Sequence, residues 1–279
     1  MNAPLNNARV DAEAARAFAG QYGARATALP PVAVVIAAYN EEGSIGPVLD
    51  SLPKALAGQD VARIVVSDGS VDATVKEAEA AGALVCEVPV NRGQGAALRL
   101  GYRLAREGGA QYIITTDADG QYNPAEMEGL LGPILAGRAD FVTGSRTKGS
   151  EETTDPVRKL GVRVFALTIS VLTGQRVTDP SFGLRAMRAE VTAAVSLQQQ
   201  QYQAAELLIG VITHGFRVAE IPATIHKRKV GESKKGHNAF YALHFANVIA
   251  GTWLRERQRR GGSARRSPAT STRGSDSSS

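Results

Sequence analysis

Residues 113–124 read IITTDADGQYNP, and the fold turns on how they are read. An apolar run short enough for a buried strand ends in two acids, Asp117 and Asp119, with only Ala118 between them. In an extended chain residues two apart point to the same side, so both carboxylates lie together, and like charges that close repel unless a positive charge sits between them. A hard divalent cation, Mg2+ or Mn2+, suits that place, with Gln121 adding an oxygen and substrate phosphates completing the shell. A calcium loop is a rival, since Asp117, Asp119, Gln121 and Glu128 fall at its positions 1, 3, 5 and 12. It fails on context, because a strand precedes the acids and Tyr122 stands where that loop needs glycine. Taken alone, the pair also reads as a capped turn before Pro124.

Outward from this stretch the same pattern recurs. VAVVIAA from Val32, ARIVVS from Ala62, ALVCEV from Ala83, QYIITT from Gln111 and ADFVTG from Ala139 read as strands. Ser44 to Ala57, Asp72 to Ala81, Gly95 to Glu107 and Pro124 to Ala136 have helical spacing. Such alternation implies an α/β fold, a mainly parallel sheet covered on both faces, with ligands at the carboxyl ends of the strands. The unusual polar residues lie at those ends: Tyr39 to Glu42, Asp68 to Ser70, Asn91 to Gly95, Asp117 to Gln121, and Gly144 to Arg146. Five such ends point to one crevice. Within NRGQGAALRLG a dinucleotide fingerprint fails, because Leu98 takes the place of the third glycine; a helix start facing phosphate, or a tight turn, is more economical.

Beyond Ser150 the alternation is lost. Arg158 to Gly174 reads as a helix with a broad apolar face, TDPSFGLRAM as a loop entering a strand, and FRVAEIP as a further strand. A basic loop follows from His226 to Gly236, then an amphipathic helix from His237 to about Arg257.

Composition narrows the class. The chain has 279 residues, 43% hydrophobic and 21% charged, as soluble globular proteins do. A single cysteine, Cys86, excludes an internal disulfide and a cysteine-based zinc site and suggests a reducing compartment. The net charge of +5 belongs to the end of the chain, where seven arginines face two acids from Arg255 onward. It therefore gives no reason to expect a nucleic-acid partner, and attraction to anionic lipid is the alternative to a merely solubilising end. No run reaches the roughly 18 apolar residues of a transmembrane helix, and the start lacks the layout of a signal peptide. The expectation is a cytoplasmic protein with at most peripheral membrane contact. Its divisions are a polar leader with one short helix (1–30), one domain (31–255) and a disordered basic Ser/Arg-rich tail (256–279).

The motifs AAYNEE, VVSDGSVDAT, NRGQGAALRLG, TTDADGQYNP, GSR, RKLGVR, TDPSFGLRAM and RKVGESKKG together resemble glycosyltransferase family 2, most closely its dolichyl- and polyprenyl-phosphate mannose or glucose synthases. The resemblance runs from Val32 to Trp253. It implies a GT-A, Rossmann-like nucleotide-sugar-binding fold with C-terminal amphipathic helices, and an inverting, metal-dependent hexosyltransferase. By the same resemblance Ala37, Tyr39, Glu41, Val66 and Asp68 contact the nucleotide, and Asp117, Ala118, Asp119 and Gln121 form the metal and diphosphate segment. Arg146, Arg228 and Lys234 hold donor phosphate, and Arg158 lies near the acceptor; Asp119, Arg146, Arg158 and Arg228 are the expected catalytic residues. Three departures stand out: Ser67 replaces the first acid of the usual DDGS, AAYNE replaces PAYNE, and Phe182 stands where a small serine is common, which bears on acceptor choice.

A UDP- or GDP-hexose loses its sugar readily only if charge growing on the diphosphate is neutralised by a metal and a basic clamp. A polyprenyl phosphate acceptor is already anionic and needs no base, only cations such as Arg158, Arg163, Arg228, Lys229, Lys234 and Lys235. A hydroxyl acceptor, on a glycan or small molecule, would need a carboxylate such as Asp179, Glu190 or Glu206. A non-catalytic nucleotide-sugar-binding protein is the remaining alternative. The four histidines have no metal spacing.

Overall fold

The computed structural model describes residues 8–152, 156–195, 197–199, 203–227 and 239–264. Strand β1 (Val32–Ala38) is a run of Val, Ile and Ala buried almost throughout, as a strand covered on both faces must be. Parallel neighbours β3 (Gln59–Asp68) and β5 (Tyr112–Thr115) flank it, and β4 (Leu84–Val88) adds to β3. Next to β5 lies β7 (Arg185–Arg188), antiparallel to it and to β6 (Phe141–Glu151), and β8 (Val218–Ile225) pairs parallel with β6. The order is β4-β3-β1-β5-β7-β6-β8, with the two-residue β2 (Ala55–Leu56) antiparallel to the start of β3.

Because side chains alternate along a strand, the sheet builds two apolar layers. One sets Val32, Val34, Ile36 and Val65 against α3 (Ile45–Ser51), α4 (Thr74–Ala80) and α6 (Met127–Leu135). The other sets Val35, Ile64 and Val66 against α5 (Gln94–Glu107), α8 (Ala189–Ala194) and α9 (Gln203–Thr213). Helix α5 lies close because Gly101 faces β1: a Cβ there would come 2.4 Å from Val35 Cγ1. Helix α1 (Ala8–Tyr22), followed by the short α2 (Ala24–Thr27), is longer than the one short helix expected. Its Ala14 and Phe18 join this second layer, and its Tyr22 hydroxyl accepts the amide of Val85, covering the edge of β4.

Several boundaries differ from expectation. Helix α3 stops at Ser51, since Leu52 precedes Pro53 and is held extended, and the chain turns through Ala57 and Gly58, both at positive φ. Strand β6 runs to Glu151, because β8 continues to pair with it past a register shift between Ser145 and Ser150. Gly144 to Arg146 therefore lie within a strand rather than at its end. Helix α7 (Pro156–Thr173) follows, and α10 (Ala239–Ala264) extends past residue 255 because Glu256, 1% exposed, is built into the core. No helix among the described residues is long and apolar enough to cross a membrane.

Candidate active site

The loops at the carboxyl ends of β1, β3, β4 and β5 hold one another. The amide of Asn40 donates to Ser70 Oγ (3.1 Å), that of Val71 to Asn40 Oδ1 (3.0 Å) and that of Glu41 to Thr74 Oγ1 (2.8 Å), tying the end of β1 to the end of β3. Gly69, at φ +77°, lets the loop after β4 cross: a Cβ there would stand 2.4 Å from Asn91 N. Asp68 Oδ2 then accepts the amides of Arg92 (2.8 Å) and Gly93 (2.7 Å). Burial pushes the Asp68 carboxyl above its ordinary range, while those amides and the Arg92 charge pull it back. Of the other expected nucleotide residues, Tyr39 is exposed just past the end of β1, and Glu41 accepts the Ser44 hydroxyl (3.0 Å). Ala37 is half-buried, and Val66 is fully buried beneath α5, where it forms the floor rather than an accessible contact.

At the end of β5, Gln94 Nε2 donates to Asp117 Oδ1 (2.9 Å), so the first turn of α5 orients the first acid. Ala118 is buried, and Asp119 Oδ1 accepts the amide of Gln121 (3.1 Å), which closes the turn. Gln121 links this turn to the chain entering the basic loop: its Nε2 donates to His226 O (2.9 Å) and its carbonyl accepts the His226 amide (2.8 Å). Gly183 lies against the pair. A Cβ on it would stand 2.7 Å from both Asp117 Oδ2 and Tyr122 Oη, and Tyr122 Oη accepts its amide (2.8 Å). Burial raises the Tyr122 hydroxyl well above its ordinary range, and Asp117 raises it further.

The donor set fits a hard cation. Asp117 and Asp119 present carboxylate oxygens, and among the described residues no group of three or more His, Cys, Asp and Glu side chains could hold a metal. An ion held by these two carboxylates would need further oxygens from water or substrate, as Mg2+ does.

Arg146 is held by partners within the protein. Its Nε donates to Asp179 Oδ2 (2.7 Å), Nη1 to Glu151 (3.3 Å) and Nη2 to Ser181 Oγ (3.1 Å), and its guanidinium lies 5.8 Å from the Phe182 ring centroid. At 8% exposure it braces the 178–183 loop. Burial lowers its pKa, but Asp179, Tyr122 and Glu151 together outweigh this and hold it above its ordinary value. Phe182 is fully buried, 4.9 Å from the Tyr122 ring, and so fills the core under this loop.

Two of the carboxylates weighed as bases are equally committed, and the third lies elsewhere. Asp179 is held by Arg146, and Glu206 accepts the amides of Gln198 (3.0 Å) and Gln199 (2.9 Å) and pairs with Arg255 (2.7 Å). Glu190 starts α8, which follows the reversed β7 and so lies at the far end of the sheet. Arg228 and Lys234, with Lys229 and Lys235, lie outside the described residues, as does the side chain of Arg158 at the start of α7.

One participant escaped the sequence reading. Arg92, 1% exposed, sends Nη1 to Asp11 Oδ1 (2.6 Å) and stands 3.7 Å from Asp68. In NRG it reads as part of a turn, and its partner is 81 residues away.

Comparison with known proteins agrees with this architecture. The profile of Glycosyl transferase family 2 matches residues 33–195. A dolichyl-phosphate hexose transferase of Haloferax volcanii is 34% identical over 73% of this chain and 86% of its own. An undecaprenyl-phosphate mannosyltransferase of Micrococcus luteus is 30% identical over the same shares, 73% and 86%. Among solved structures, glucosyl-3-phosphoglycerate synthase from Mycobacterium tuberculosis, in complex with Mn2+, UDP and phosphoglyceric acid, superposes with a TM-score of 0.63 at 22% identity, covering 86% of this chain and 82% of that one. The chain belongs to glycosyl transferase family 2, and it is a glycosyltransferase of GT-A fold.

Proposed function

We propose that the protein transfers a hexose, with inversion, from UDP- or GDP-hexose to a polyprenyl phosphate at the cytoplasmic face of a membrane. The names of the two relatives support the acceptor class. The observation that carries it is the outer face of α7, where Leu160, Val164, Leu167 and Val171 are 62%, 51%, 66% and 74% exposed. Their spacing puts them in one stripe, with Lys159 and Arg163 also exposed on the helix. An apolar stripe with basic neighbours suits an anionic lipid surface, and a water-soluble acceptor has no use for it.

Asp117 and Asp119 would hold the divalent ion, which when bound neutralises charge on the departing diphosphate. Gln94 and the close approach of Gly183 fix the first carboxylate in advance of substrate, so little reorganisation is left to the reaction. Tyr39 and Asp68 serve the nucleotide, and Arg158, Arg228 and Lys234 keep the phosphate-holding roles that the resemblance implies. A lipid-phosphate oxygen forms the new bond to the anomeric carbon from the face opposite the leaving group. The old C–O bond breaks, and the nucleoside diphosphate departs with its electron pair. No proton moves, which agrees with Asp179 and Glu206 being committed elsewhere.

The test is incubation of the purified chain with UDP- and GDP-hexoses, Mn2+ and polyprenyl phosphate. A lipid-linked sugar, absent when metal is chelated, is expected. Turnover only with a free glycan or alcohol would overturn the acceptor and leave the family assignment standing.

A further inference from the structure

We propose that Asp11, on α1 and outside the family-matched residues 33–195, is a positioning residue for the donor pocket, acting through Arg92 on Asp68 and through Arg99 on residues 197–199. The proposal rests on the nucleotide-sugar reading above.

Asp11 lies on the inward side of α1 with Ala14 and Phe18, at spacings of three and four. A carboxylate there loses its water, and an apolar residue would cover the sheet at least as well. What the charge adds is orientation of two guanidiniums. Oδ1 accepts from Arg92 Nη1 (2.6 Å), and Oδ2 from Arg99 Nη2 (3.3 Å).

On the first branch, Arg92 Nε and Nη2 have no hydrogen-bond partner among the described residues, and neither has Asp68 Oδ1. Asp11 and Asp68 therefore hold one buried cation between them, Asp11 at full hydrogen-bond strength and Asp68 at 3.7 Å. With Asp11 neutral, the guanidinium closes on Asp68, and the loop whose Arg92 and Gly93 amides grip Asp68 Oδ2 shifts with it. On the second branch, Arg99 Nη1 donates to Leu197 O (3.0 Å). The same segment lies on the start of α5, where a Cβ on Gly95 would meet Gln199 O at 1.9 Å. Gly95 adjoins Gln94, which orients Asp117. One carboxylate from the N-terminal helix thus governs both the loop at Asp68 and the turn at Asp117.

The experiment uses the full chain with Asp11→Asn, and with Glu13→Gln as a control, since exposed Glu13 pairs with Arg9 at the surface. Binding of UDP and GDP with Mn2+ is measured by calorimetry below the melting transition, and donor KM, acceptor KM and kcat are measured separately. Asp11→Asn should weaken nucleoside diphosphate binding and raise donor KM about tenfold, leaving acceptor KM near the native value. In Asp11→Asn/Arg92→Met the two effects should not add. If Asp11→Asn does not fold, Asp11→Glu, which keeps the charge but displaces it, gives the same readout. Native affinity in a folded Asp11 variant overturns the proposal alone, whereas failure of the native chain to bind either nucleotide overturns the donor reading and this inference with it.

Discussion

Asp117 and Asp119 are held by different partners, so they answer differently to substitution. Asp119 Oδ1 accepts an amide of its own turn, and the loss of that hydrogen bond in Asp119→Ala should lower stability by about 1 kcal/mol. The same change should slow transfer on the order of a hundredfold, and thermal melting beside initial rates in Mn2+ separates the two effects. Gly183→Ala tests the other acid: the added methyl meets Asp117 Oδ2 and Tyr122 Oη, so the carboxylate must move. Turnover should fall on the order of tenfold or more and require higher Mn2+, as a metal titration of initial rate would report. The two acids could be picked out because they are neighbours in sequence after an apolar run, but β5 ends at Thr115, so it is the turn beyond the strand, with Gln94 and the Gln121 amide, that sets their directions. The partners of Arg146 were not legible, because GSR says nothing of Asp179 and Ser181, which approach only when β7 inserts beside β6. Arg92 was missed because the carboxylate that fixes it lies in a stretch expected to be a leader.

Among the elements, α7 shows the clearest division of labour between its two sides. Ala166 and Ile169 are buried while Leu167 and Val171 stand exposed, so Leu167→Asp with Val171→Asp should leave the melting temperature within a few degrees of native. Co-sedimentation with anionic polyprenyl-phosphate vesicles should fall several-fold, and unchanged sedimentation would remove α7 as the lipid-facing element. A second element-level device pins the β6-β7-β8 edge. Asp140 accepts from Arg217 (2.7 Å) just before β8 and stands 3.4 Å from Arg188 on β7. The Arg217 hydrogen bond holds its carboxyl down from 3.8 to about 2. A carboxyl group depressed on folding lends stability that is fully present above its unfolded pKa and is lost as pH falls through the folded one, here between roughly pH 4 and pH 2. Asp140→Asn should therefore cost about 1 kcal/mol at pH 7, since Arg217 is half exposed, and the difference from native should vanish near pH 2 in urea titrations. Strands β1, β3, β4 and β5 were readable from apolar runs alone. The outer half of β6, TKGSE, was not, because its strand character comes from pairing with β8 and not from its own side chains.

Across the whole molecule, α10 is fastened to the catalytic domain by a buried ion pair. Arg255 reaches Glu206 on α9 (2.7 Å) and Glu256 (3.1 Å), both fully buried. Arg255→Met leaves Glu206 without its cation and should cost about 3 kcal/mol in equilibrium urea unfolding, with a smaller loss in a Glu206→Gln background, where Glu256 alone still loses Arg255. A tail beginning at residue 256 followed from composition, which counts arginines but does not show which acids they meet. The reversed strand β7 carries a consequence of another kind, for assembly order on the ribosome. The β4-β3-β1-β5 block is complete once Thr115 has emerged, yet the strand that joins it to β6 is made only at Arg185–Arg188. Until then both β5 and β6 present bare hydrogen-bonding edges, so a nascent chain stalled in that interval is the species most exposed to chaperone capture and to mispairing with its neighbours on a polysome.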